Sequence, residues 1–206
     1  MAFAVIVPDF RTTGNLQSVA YRTAVVGIIA VGQTLVILTA GIDLSVGSVT
    51  ALSGVVACLL MSAAQIPVAL GIAAGCCTGL VCGMVNGVLV TKGRIPPFIV
   101  TLGMMMVARG LAQLLSGSKS ISAPTGWFAY LGGSMGWWIP VLIMLGVTAF
   151  FAVMLALTRF GRSIYAVGGN LSAARLSGIP VDRVRIGVYS VCGLLAGFAG
   201  IMLASR

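Results

Sequence analysis

Apolar residues along this chain come in long blocks, and polar residues gather in the gaps between them. The blocks occupy residues 24–40, 49–64, 67–90, 98–115, 139–157 and 187–205. A helix crosses the hydrocarbon core of a bilayer in about 20 residues, with about 17 as the lower limit, so each block predicts one span. Barrel strands would be shorter and would alternate apolar with polar positions. The pattern therefore predicts an all-α polytopic transmembrane helical bundle of about six complete spans, with residues 1–206 forming one domain and no separate soluble part.

Several polar residues interrupt this pattern. The opening MAFAVIVP is apolar but too short to span and reads as the stub of a cut helix, while residues 9–22 read as polar turns. Inside the first span, Gln33 and Thr34 need partners, either on another helix or along an aqueous path. Between the first two spans lies GIDLSVGS, which carries Asp43 and Ser45. Asp43 is either the N-cap of the next helix or a group at the mouth of a transport path, and the residues leave both readings open.

The third block carries Gly71, Gly75, Gly79, Gly83 and Gly87 at every fourth position, with Asn86 beside the last. That spacing puts the glycines on one helix face, where a neighbouring backbone can approach closely and gain dispersion contacts. Helix packing is the expected role. Arg109 falls within the fourth block, where it either snorkels to the interface or is a buried functional charge. Residues 116–136 hold Trp127, Phe128, Tyr130, Trp137 and Trp138, the aromatic signature of a segment lying against a membrane interface.

Composition agrees with the pattern: 59% of residues are hydrophobic and 7% charged, and the mean hydropathy is +1.14. Too little polar surface is available to cover a soluble globule. There is no His, and the only acids are Asp9, Asp43 and Asp182, so His triads, zinc sites and paired-carboxylate hydrolysis lack their residues. No enzymatic chemistry, cofactor or metal site is expected. The five cysteines all fall inside apolar blocks and read as small packing residues. No P-loop is present, because the Lys119 region lacks the upstream glycine. The net charge of +9 sits in the gaps between spans, where it orients helices, and nucleic acid is not expected as a partner.

Residues 158–186 form the one long interval dense in charge, with five arginines against Asp182. Within it, Asn170 suits the N-cap of a short helix through Ser177, Gly178 suits a left-handed C′ position, and Pro180 stops continuation. This capping grammar points to a docking element for a soluble partner, with a solvated connector as the plain alternative. Lys92 and Arg94 share a side with Arg159, Arg162, Arg175, Arg183 and Arg185, whereas Arg11, Arg22 and Lys119 fall on the other side. The positive-inside rule makes the richer side cytoplasmic.

The stretches AVGQTLVILTAGIDLSVGS, GMVNGVLVTKGRIPPFIVTLGMM and TRFGRSIYAVGGNLSAARLSGI resemble the permease subunit of bacterial ribose-type sugar ABC importers. The resemblance covers nearly the whole chain. It implies a multi-pass protein of the bacterial inner membrane that translocates a sugar or related small polar solute. The implied partners are a second permease copy, a periplasmic solute-binding protein and a separate cytoplasmic ABC ATPase. It also implies that the 158–186 loop is cytoplasmic and carries the ATPase-coupling helix, which places coupling on Gly169, Asn170, Ala173, Ala174, Arg175, Leu176 and Gly178. Gln33, Asp43, Ser45 and Asn86 are the candidate translocation-path residues. The family usually has a second glycine where this chain has Ala40, and often an acid at Leu171 or Ser172. Its members begin with a full helix and continue beyond Arg206, so the chain resembles a piece truncated at both ends. Competing readings are a passive channel or facilitator, with Gln33, Asp43 and Asn86 lining a pore, and an inactive scaffold.

Overall fold

A computed structural model describes residues 12–121, 126–133 and 136–206. The expected stub at residues 1–8, with residues 9–11, lies outside the described residues. The helices are α1 (Thr13–Leu38), α2 (Val46–Ser62), α3 (Val68–Thr91), α4 (Pro97–Ser116), α5 (Trp138–Leu157), α6 (Arg159–Gly169), α7 (Leu171–Leu176) and α8 (Val181–Ala204). A 3-10 turn, Trp127–Tyr130, sits between α4 and α5. No strand occurs among the described residues. Among the described residues, five helices, α1, α3, α4, α5 and α8, are long and apolar enough to cross a membrane, and α2 is a shorter apolar helix. The chain is an all-α, multi-pass membrane bundle.

The fold is built around α8, which packs against α1, α2 and α3 and takes α6 and α7 at its starting end. Small residues make this possible. Gly71, Gly75, Gly79, Gly83 and Gly87 are all buried along α3, and Gly193 and Gly197 of α8 answer the middle three, Gly75, Gly79 and Gly83. A Cβ built on Gly87 would stand 2.8 Å from the Ile186 Cα, and one on Gly79 would stand 2.8 Å from the Gly197 Cα. One on Gly83 would collide with the Tyr189 carbonyl oxygen, and one on Gly79 with that of Gly193. Backbone therefore meets backbone along this seam, the geometry that gives lipid-embedded helices their tightest dispersion contact. At the other edge α5 packs mainly on α1 and α6 among the described residues and buries a single residue of its own, Pro140.

The structure differs from the sequence expectations at three elements. Residues 13–22 are helical, not turns: Thr12 caps α1, and Tyr21, Ala24, Val25 and Ile28 continue one buried face across the supposed boundary. The Tyr21 hydroxyl donates to the Met202 carbonyl oxygen at 2.6 Å, fastening this extension to the end of α8. Residues 159–169 form the amphipathic helix α6, which buries Gly161, Ile164 and Val167 and exposes its arginines. Phe128 is fully buried, packed with Ala57, Met61 and Ile201, so it belongs to the core and not to an interfacial belt. Trp137 and Trp138 remain exposed.

Candidate functional site

At the end of the bundle where α3 stops and α8 starts, α6 and α7 fold against the helix ends. Asn170 leaves α6 in extended conformation, and its side-chain oxygen accepts from the Ala173 amide at 2.9 Å. The far end of α7 closes in a Schellman motif: the Gly178 amide donates to Arg175 O and the Ile179 amide to Ala174 O, both at 3.0 Å, with Gly178 at φ 78°. Two caps on so short a helix satisfy backbone groups that six residues alone would leave open. Ala174 is the one buried residue of α7. Gly169, Asn170, Ala173, Arg175 and Gly178 are exposed, and Leu176 is 91% exposed. Leu176 therefore displays an apolar side chain at an otherwise polar end of the bundle, beside an ordered polar network.

That network centres on Asp182 in the first turn of α8. Its carboxylate meets Lys92 Nζ at 2.8 Å and Arg175 Nη2 at 3.4 Å, linking the α3–α4 loop, α7 and α8. Lys92, Arg94, Arg175, Asp182 and Arg183 surround an open cavity of about 630 Å³. Sequence reasoning saw the individual charges but not this convergence, since Lys92 and Asp182 lie far apart in the chain.

A second polar group lies within the bundle. The Gln33 amide donates to the Asp43 carbonyl oxygen, the Ser45 amide and hydroxyl donate to Asp43 Oδ1 at 2.8 and 2.6 Å, and Asn86 Nδ2 donates to Ser45 Oγ at 3.0 Å. The four candidate path residues from α1, the α1–α2 loop and α3 thus form one connected cluster. Asp43, Ser45 and Asn86 are all buried, and Asn86 Oδ1 has no hydrogen-bond partner. Asp43 does not cap α2. The N-cap position belongs to Ser45, which makes no side-chain cap bond, and the Asp43 carboxylate instead accepts from Ser45 within the turn that precedes the helix. Burial pushes the Asp43 carboxyl above its ordinary range, and the Ser45 and Asn86 donors pull it partly back. The Tyr189 hydroxyl, 3.4 Å from Ile42 O, holds the same loop from α8. Ala40, just before it, adopts φ 56°, a left-handed conformation that a side chain disfavours.

No group of residues able to hold a metal ion occurs among the described residues. Arg109 points outward from α4 and makes no hydrogen bond or ion pair among the described residues. Of the five glycines of α3, Gly79, Gly83 and Gly87 meet the backbone of α8, Gly75 lies between α2 and α8, and Gly71 faces Met61 and Ala57 of α2.

Comparison with known proteins adds identity to this geometry. The chain is 44% identical to the ribose import permease protein RbsC of Escherichia coli, over 97% of this chain and 64% of that protein. It is 43% identical to the L-arabinose ABC transporter permease protein AraH of Azospirillum brasilense, over 98% of this chain and 60% of that protein. It is 42% identical to RbsC of Bacillus subtilis, over 98% and 64%. The chain thus spans less than two thirds of the length of these relatives. No solved structure matches it. Residues 15–206 match the family described as branched-chain amino acid transport system / permease component, and it is to this permease family that the chain belongs.

Proposed function

We propose that this chain is the membrane-spanning part of an ATP-driven importer that carries a sugar or related small polar solute across the bacterial inner membrane. The family description mentions amino acids, but the relatives named above are ribose and arabinose permeases, which favours a sugar. The permease performs no covalent chemistry. A separate cytoplasmic ATPase hydrolyses ATP, a periplasmic binding protein delivers the solute, and a second permease copy completes the passage. The richer basic end, with Lys92, Arg162 and Arg175, faces the cytoplasm.

The observation that carries this reading is the doubly capped α7, displayed at the basic end and tied through Asp182 to α8 and the α3–α4 loop. In this proposal Gly169, Asn170, Ala173, Arg175, Leu176 and Gly178 form the coupling surface that meets the ATPase, and Ala174 anchors it to the bundle. Closure of the ATPase pair moves α7, and α8 carries that movement into the bundle to switch access between sides. The Gln33–Asp43–Ser45–Asn86 cluster fixes the α1–α2 loop beside the passage. A passive facilitator would have no use for such a docking element. The test is uptake of labelled ribose or arabinose by vesicles holding the full-length permease with its ATPase and binding protein. Uptake that needs ATP supports the proposal; uptake that runs equally well without ATP or ATPase identifies a facilitator.

A further inference from the structure

Residues on the outer faces of α2 and α4 enclose an open groove of about 510 Å³, within the usual range of about 300–1,000 Å³ for small-molecule sites. Its floor is low because Gly47, Ala51 and Ala112 are small, and a Cβ on Gly47 would meet nothing within 4 Å. Its walls carry Ser48 from α2 and Arg109, Gln113 and Ser116 from α4. Arg109 and Gln113 stand one helical turn apart on one face, and α4 runs on to Ser116, so the backbone of Arg109 lies about 10 Å inside that helix end. The side chains of Ser48, Arg109 and Gln113 make no hydrogen bond or ion pair among the described residues.

An unpaired guanidinium on a membrane-spanning helix is costly against lipid and is normally found facing water or a partner. Leu44 turns outward into the groove while Asp43 and Ser45 turn inward to the buried cluster. The cluster therefore backs the groove. The open groups are five N–H donors on Arg109, the Gln113 amide offering both donors and acceptors, and the Ser48 hydroxyl. They suit a solute rich in hydroxyls. The groove holds no carboxylate, so its field repels cations.

We propose that the α2–α4 groove is the wall along which the solute passes, with Ser48, Arg109 and Gln113 as hydrogen-bonding contacts for a neutral, polyhydroxylated molecule. This rests on the transport reading above and assigns it a location. The groove is wet, and Arg109 makes it cation-excluding.

The test places Ser48→Cys or Gln113→Cys in the full-length protein in membrane vesicles, with Phe150→Cys on the exposed face of α5 as control. Each is treated with anionic sulfonatoethyl and cationic trimethylammonioethyl methanethiosulfonate, and reaction is measured above that of the unsubstituted chain. Only thiolate reacts, and a lipid-facing thiol stays protonated, so both groove positions should react about ten-fold faster than Phe150→Cys. The anionic reagent should gain about five-fold over the cationic one from a nearby unit charge, and Arg109→Gln should remove that gain. Slow reaction at both groove positions overturns the proposal, as does a charge preference indifferent to Arg109→Gln. Uptake of labelled ribose or arabinose is followed in parallel, and Arg109→Gln should lower it while membrane insertion persists. If the unsubstituted protein shows no ATP-dependent uptake, the transport reading itself fails, and the labelling pattern still reports whether the groove is wet.

Discussion

Lys92 Nζ stands 2.8 Å from Asp182 Oδ2, a contact that spans 90 positions of sequence and joins the end of α3 to the start of α8. Arg175 reaches the same carboxylate from α7, so one acid holds three elements. Exposed pairs of this kind contribute at most about 1 kcal/mol each, and Asp182→Asn should change thermal stability little. Its effect should appear instead in coupling, because α7 loses its orientation relative to α8. The expected outcome is unchanged insertion with reduced ATPase hydrolysis stimulated by loaded binding protein. Full stimulation in Asp182→Asn would show that the contact has no part in docking.

The caps of α7 offer a second probe of the same surface. Asn170→Ala removes a bond worth about 1 kcal/mol to a helix with few others. Gly178→Val meets no neighbour, since a Cβ there has nothing within 4 Å, but it forces a β-branched residue to φ 78°. Both variants should insert normally and lose ATPase co-purification. Normal co-purification from both would return residues 170–178 to the status of a connector.

Along the α3–α8 seam, Gly79→Leu or Gly83→Leu should prevent assembly, because even a Cβ collides with the Gly193 or Tyr189 carbonyl oxygen. Leu80, half-buried and off the stripe, should tolerate Ala at a cost nearer 1 kcal/mol. Folded yield after detergent extraction distinguishes these outcomes. Similar yields from all three variants would contradict the close-packed seam.

Ala40 sits at φ 56°, where the left-handed conformation costs a non-glycine residue about 1–2 kcal/mol. Ala40→Gly should therefore raise the thermal midpoint of the protein in detergent by a few degrees, offset in part by the greater unfolded-state freedom of glycine. A lowered midpoint would mean that the strain is relieved elsewhere.

In the buried cluster, Asp43→Asn retains an acceptor for the Ser45 amide and brings a donor toward the unpartnered Asn86 Oδ1, so the fold should persist. Ser45→Ala breaks the chain of bonds between Asp43 and Asn86 and should cost about 1–3 kcal/mol. Thermal unfolding monitored by tryptophan fluorescence compares the two. Equal destabilisation by both would show that the charge of Asp43, not its hydrogen bonds, holds the loop.

Much of this fold was readable from local pattern. Apolar blocks locate the spans because lipid demands them, and Asn170, Gly178 and Pro180 locate the short helix because caps act within a few residues. The glycine spacing of α3 announces a close-packed face without naming its partner, which turned out to be Gly193 and Gly197 together with Tyr189. What escaped notice was either masked by composition or non-local. The arginines and glycines of residues 159–169 hid the buried spacing of Gly161, Ile164 and Val167, and the polar start of α1 hid the face that Tyr21 continues. The joining of Gln33, Asp43, Ser45 and Asn86, and the opening beside Arg109, depend on how α1 to α4 are arranged, which no local rule fixes.

The glycine seam also has a mechanical consequence. Helices that touch through side chains can slide by exchanging rotamers, but where backbone rests on backbone there is nothing to exchange. α3 and α8 therefore behave as a single stiff axle, and bending or shear is left to the outer helices α4 and α5. The short 177–180 connector places α7 like a crank at one end of that axle, so a displacement of α7 tilts the whole centre of the bundle and is not absorbed near its point of entry.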